Sequence, residues 1–146
     1  MHPEHALYQE RIDATPEGVR GALGGLTKAI GSIALTSEEI ATVQLVLAEA
    51  LNNIVEHAYA GTSGDHISIS VQEGRDGLHC RLGDSGAPMP DGRAPLGSCP
   101  GPGEAIEDHP ESGFGWFLIR NLARDLQYRR VDGCNELTFR IALRPR

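Results

Sequence analysis

Apolar residues change their spacing several times along the chain, and each change marks an element. Ala6–Ile12 alternates weakly and is expected to be a short first strand. Thr15-Pro16-Glu17 reads as a helix start, with a capping hydroxyl, proline at the first helical position and an acid near the positive dipole end. That helix is predicted to run to about Ile33, weakened by Gly18, Gly21, Gly24 and Gly25. A stronger signal follows. Thr36 and Glu39 form a capping box, and Ile40, Val43, Leu47, Leu51, Ile54 and Ala58 recur at spacings of three and four. The spacing predicts a helix over Ser37–Ala58 that ends at the Gly61–Gly64 loop.

Period-two alternation then takes over. Ile67, Ile69 and Val71 share one face of a strand, Leu78, Cys80 and Leu82 one face of the next, and Gly74–Gly77 is the expected turn. Positions 87–111 carry no apolar period, and ten of these 25 residues are Pro or Gly. A loop this long inside a small domain is commonly a functional lid or a disordered segment. A further helix starts near Phe114 with Leu118, Ile119, Leu122 and Ala123 on its buried side. Trp116 and Phe117, at its start, read as core or lid-hinge packing. Leu126–Val131 and Glu136–Leu143 read as a hairpin around Asp132-Gly133, its second strand presenting Leu137, Phe139, Ile141 and Leu143. The order calls for an α/β (α+β) two-layer sandwich: a mixed, mostly antiparallel sheet with helices on one face.

Composition narrows this reading. The 146 residues suit a single domain, and a formal net charge of -7 argues against binding to nucleic-acid backbones. Twelve of the 18 glycines fall between Gly61 and Gly115, and six of the nine prolines between Pro88 and Pro110. Conformational freedom is thus concentrated in one half of the chain. No apolar run approaches the ~20 residues of a membrane-spanning helix, and no basic start with an apolar run marks a signal peptide. Cys80, Cys99 and Cys134 are odd in number and widely spaced, so neither a disulfide framework nor a CxxC zinc site is expected. The expectation is a reduced, cytoplasmic protein that interacts with neither membrane nor nucleic acid.

Three short stretches carry candidate chemistry. Glu49, Asn53 and His57 lie four residues apart along one side of the long helix, flanked by Asn52 and Glu56. On spacing alone this is the solvated polar stripe that an amphipathic helix requires. Yet asparagine competes for backbone groups in a helix interior, its carbonyl oxygen suits Mg²⁺, and a glutamate one turn earlier can take a proton from a hydroxyl. Asp84-Ser85-Gly86-Ala87-Pro88 at a strand end is a turn in most contexts; buried, Asp84 can accept from the amine of a purine that Gly86 lets approach. Ser112-Gly113-Phe114-Gly115 leads into a helix, an arrangement that favours phosphate, although Gly-x-Gly alone is a weak sign.

Taken in order, these stretches carry a resemblance. Glu49–Tyr59 is similar to the N-box of the GHKL ATPase superfamily, in the form seen in anti-sigma factor serine/threonine kinases (RsbW-like). Asp84–Pro88 resembles the G1 box of that family, Ser112–Arg120 its G2 box, and Asn135-Glu136-Leu137-Thr138 its final strand. The resemblance implies a Bergerat-type fold over 1–146, with ATP beneath a flexible lid at about 87–112. Carried over by position, it implies Glu49 as the general base and Asn53 as the Mg²⁺ ligand. By the same resemblance Asp84 would contact adenine, Gly86 would admit it, Gly113 and Gly115 would shape the phosphate site, and Thr138 would support Asp84. For His57 it implies helix-end packing or direct contact. Ser112 departs from a frequent glycine, and Asp91, Glu104, Glu107 and Asp108 bring acids into the lid.

The function implied is an ATP-dependent protein serine/threonine kinase of a partner-switching system. The resemblance implies that it phosphorylates a STAS-domain anti-sigma factor antagonist, sequesters a sigma factor or another regulator, and forms a homodimer. One alternative is a non-catalytic nucleotide-binding switch that acts by holding a partner. Another, the detached catalytic domain of a histidine kinase, lacks a phosphoacceptor hairpin before the first helix.

Overall fold

A computed structural model describes residues 5–58, 65–89 and 114–144. Five strands form one sheet in the order β1-β2-β3-β5-β4. These are β1 (His5–Asp13), β2 (His66–Gly74), β3 (Gly77–Asp84), β4 (Arg124–Val131) and β5 (Cys134–Ile141). Every neighbouring pair is antiparallel, so the mostly antiparallel expectation is met without a parallel pair. Among the described residues three α-helices, α1 (Pro16–Ile30), α2 (Ser37–Asn53) and α3 (Phe114–Leu122), accompany it.

Strand alternation makes the sheet two-sided. Ile67, Ile69 and Val71, then Leu78, Cys80 and Leu82, then Leu137, Phe139 and Ile141 are all buried. They form one core with Val19, Ala22, Leu26 and Ile30 of α1, Val43, Val46, Leu47, Ala50 and Leu51 of α2, and Trp116 and Ile119 of α3. Residues of the other parity, among them Ser68, Arg81, Glu136 and Thr138, are half-buried or exposed and face away from the helices. A one-residue slip would invert this arrangement, so the alternation itself fixes the register.

Local chemistry sets the element ends. Thr15 Oγ1 accepts from the Gly18 amide at 3.0 Å, and the first helix stops at Ile30, not near Ile33. The Gly31 amide there bonds the carbonyls of Thr27 and Lys28, and the Ser32 hydroxyl bonds that of Ala29. The capping box of α2 is complete: Thr36 Oγ1 accepts from the Glu39 amide at 3.1 Å, and Glu39 Oε1 accepts from the Thr36 amide at 2.9 Å. The other oxygen of Glu39 accepts from the Arg144 amide at 2.7 Å, fastening the chain after β5 to the start of α2. Asp132 and Gly133, with φ of 52° and 78°, make the tight turn between β4 and β5.

Two expectations change. Leu118 is only half-buried and lies outside the core, because the inward side of α3 is set by Trp116, Ile119 and Ala123. The long helix keeps α geometry only to Asn53 and continues as a π-helical turn over Ile54–Ala58. The wider turn interrupts the four-residue row, so Glu49 and Asn53 share a side that does not extend to the exposed His57. Of the 87–112 segment, positions 90–112 lie outside the described residues, as do Gly113 and the Gly61–Gly64 loop.

Candidate active site

The first grouping lies where α2 meets the start of α3. Glu49 and Asn53 stand one turn apart, and Gly115, the second residue of α3, brings its backbone against both. A β-carbon at Gly115 would fall 2.6 Å from Glu49 Oε2 and 3.2 Å from Asn53 Nδ2. The absent side chain is thus what lets the carboxylate stand in this place against α3. Burial, and secondarily the negative charge of Glu56, push the Glu49 carboxyl above its ordinary value. A carboxylate held this way is a better proton acceptor than a fully solvated one.

Asn53 has a fixed orientation. Its side-chain nitrogen donates to the Glu49 carbonyl at 2.7 Å. A carbonyl can only accept, so the nitrogen must face it and Oδ1 must face away. That oxygen is the kind of hard donor that Mg²⁺ takes. Among the described residues no cluster of three His, Cys, Asp or Glu side chains could hold a metal. The donor set therefore fits a cation that shares its shell with phosphate oxygens better than one caged by protein alone.

The second grouping is at the end of β3. Asp84 is 9% exposed; its Oδ1 accepts from the Gly86 amide at 2.9 Å and from Asn135 Nδ2 at 2.7 Å. Among the described residues nothing donates to Oδ2. Among the described residues no buried side-chain polar atom lacks a partner, so Oδ2 is not sealed from solvent. The carboxylate is thus anchored through one oxygen and offers the other, and Gly86 forms the adjoining backbone.

Thr138 does not support Asp84. It sits opposite Arg81 on the face of the sheet that points away from the helices, with Ser70, Gln72 and Gln127 around the same outer cleft. The supporting residue is Asn135, directly opposite Asp84 and only 4% exposed. Its position was legible in the sequence: residue 135 is in phase with Leu137, Phe139 and Ile141, and residue 138 is not. Arg130 and Tyr128 of β4, which the sequence did not single out, complete the grouping. Both donate to Asn135 Oδ1, Arg130 at 2.9 Å.

Both groupings sit in a fold made of a helical layer packed on an antiparallel sheet, and that fold is the one of histidine kinase-like ATPase domains. Residues 12–141 match the model of the histidine kinase-like ATPase domain. The chain is 32% identical over 98 residues to the serine/threonine-protein kinase BtrW of Bordetella bronchiseptica, covering 67% of each protein. It is 28% identical over 124 residues to the serine-protein kinase RsbW of Oceanobacillus iheyensis, covering 84% of this chain and 78% of that one. Its fold superposes, with a TM-score of 0.60 and 17% identity, on a structure of the RsbU and RsbW domains of Rv1364c from Mycobacterium tuberculosis. That match takes in 94% of this chain and 33% of the longer protein. The chain belongs to the histidine kinase-like ATPase family, within its RsbW- and BtrW-like branch of serine/threonine-protein kinases.

Proposed function

We propose that the chain uses ATP to phosphorylate a serine or threonine of a STAS-domain antagonist, in a partner-switching system whose other partner is a sigma factor. The observation that carries this reading is the Glu49 carboxylate, raised in basicity and lodged against Gly115 beside Asn53. In the proposed reaction Glu49 takes the proton of the substrate hydroxyl. The hydroxyl oxygen forms a bond to the γ-phosphorus of ATP as the bond to the β-phosphate oxygen breaks, releasing ADP. Such a reaction relies on positioning and electrostatics more than on covalent chemistry by the protein.

Asn53 Oδ1 would hold Mg²⁺, which when bound neutralises phosphate charge. Asp84 Oδ2 would accept from the exocyclic amine of adenine, with Gly86 against the base. Gly113 and Gly115 would contact the phosphates at the start of α3, where helix dipole and backbone amides favour anions. We assign residues 87–112 as the lid of a single domain spanning 1–146, and place the protein in the cytoplasm as a homodimer. No helix among the described residues is long and apolar enough to cross a membrane.

The test is phosphate transfer from labelled ATP to a STAS protein encoded beside this gene, with ATP affinity measured by calorimetry. Glu49→Ala should keep ATP affinity within about threefold and lower transfer by about 10²- to 10⁴-fold. Transfer at the wild-type rate by that variant would refute the base assignment.

A further inference from the structure

Asp84, Asn135 and Arg130 occupy one rung across three strands: Asp84 pairs with Asn135 between β3 and β5, and Asn135 with Arg130 between β5 and β4. The Asn135 amide joins them. Its nitrogen donates to Asp84 Oδ1 at 2.7 Å, and its oxygen accepts from the Arg130 guanidinium at 2.9 Å and from the Tyr128 hydroxyl. A guanidinium only donates, so the amide has a single orientation, with its nitrogen facing Asp84.

Arg130, Asn135 and Tyr128 also hold the chain that leaves β3. Arg130 donates to the Gly86 carbonyl at 2.9 Å, Asn135 Nδ2 to the Ala87 carbonyl at 2.9 Å, and the Met89 amide donates to the Tyr128 hydroxyl at 3.0 Å. Backbone leaving a strand is ordinarily free to shift, and here it is pinned at three successive points. A buried amide left half-satisfied would be costly; fully bonded, it makes one conformation of its neighbours much more favourable than the others.

We propose that Asn135, locked by Arg130 and Tyr128, is the positioning residue for base selection. By occupying Asp84 Oδ1 it turns Oδ2 outward as an acceptor, suited to a purine with a 6-amino donor and unsuited to one with a 6-oxo acceptor. This rests on the reading of Asp84 as the base contact. A site built to hydrogen-bond a donor group discriminates strongly against an analogue that lacks it, because a buried polar atom is left unpaired.

The experiment measures binding of ATP and of inosine triphosphate to the full chain by calorimetry, with thermal unfolding alongside. Asn135→Asp keeps the shape and the acceptors for Arg130 and Tyr128 but cannot donate to Asp84. It should weaken ATP about tenfold and inosine triphosphate by less than about twofold, so that selectivity collapses. Arg130→Met, at an exposed edge position, should act in the same direction by about threefold, and keeps the test open if Asn135→Asp unfolds. Equal weakening of both nucleotides, or no change in either, overturns the proposal. Asp84→Asn separates the two levels. If it abolishes ATP binding while the Asn135 and Arg130 variants bind normally, the positioning role fails and the base-contact reading stands. If it leaves ATP binding unchanged, the base-contact reading itself falls, and the proposal with it.

Discussion

Replacing Gly115 with alanine adds one methyl group at the point where α3 touches the proposed base. The new carbon would lie 2.6 Å from Glu49 Oε2, against 3.4 Å for ordinary van der Waals contact, so the carboxylate must retreat by the difference of about 0.8 Å. The obstructing atom is the end of a flexible, half-buried side chain, and folding loses little when it moves. Alanine also favours a helix over glycine by up to about 1 kcal/mol, so net stability should be unchanged or slightly higher. Catalysis is less tolerant. Displacing a reacting group by about 1 Å costs on the order of 10²-fold. A shift of this size should therefore slow transfer by about 10- to 100-fold, equivalent to about 1.4–2.7 kcal/mol in the barrier. Single-turnover transfer from ATP to the proposed STAS substrate reads the rate, calorimetry the ATP affinity, and a thermal melt the stability. A full transfer rate in a normally folded variant would show that Glu49 is not the group that needs this geometry. A fall of more than about 5 °C in the unfolding temperature would mean that the methyl group meets backbone instead.

Because the Glu49 carboxyl is raised and a base must be ionised, transfer should fall as pH drops through that raised value. Glu56→Gln removes the lesser of the two causes, so the acid limb of the pH–rate profile should move to lower pH; an unmoved limb would leave Glu56 without influence. The folded chain holds this proton to higher pH than the unfolded chain does, so the associated stability is present in acid and is lost as pH rises through the folded value. Leu82→Ala, at a fully buried position in the middle of β3, should lower the unfolding free energy by about 3 kcal/mol in a urea titration. A loss below 1 kcal/mol would mean the core closes around the gap.

Much of this architecture was visible as pattern. The Thr15 cap of α1, the capping box of α2, the period-two strands and the Asp132-Gly133 turn depend on neighbours within a few residues, and those carry the same meaning in any fold. The choice of Glu49, Asn53, Asp84 and Gly115 came from ordered motifs, and the structure gathers them into two groupings. Motif and fold part at Thr138: the motif makes it the support of Asp84, while strand phase turns it to the other face, opposite Arg81. The π-helical turn was not legible. Apolar spacing through Ile54 and Ala58 fits an α-helix, and nothing in it reveals that the hydrogen-bond ladder widens after Asn53.

By itself the sequence determined which face of each strand and helix is buried, where the helices begin, and which residue types could carry phosphoryl transfer. Only the tertiary structure decided which of those residues meet. Glu49 and Gly115 are 66 positions apart, and Asp84 and Asn135 are 51. Local periodicity cannot encode such distances, because they arise when helices pack on a sheet and strands fall into one register. That register carries Arg130 and Asn135 to Asp84, and the packing of α3 on α2 places a glycine where any side chain would push the carboxylate aside.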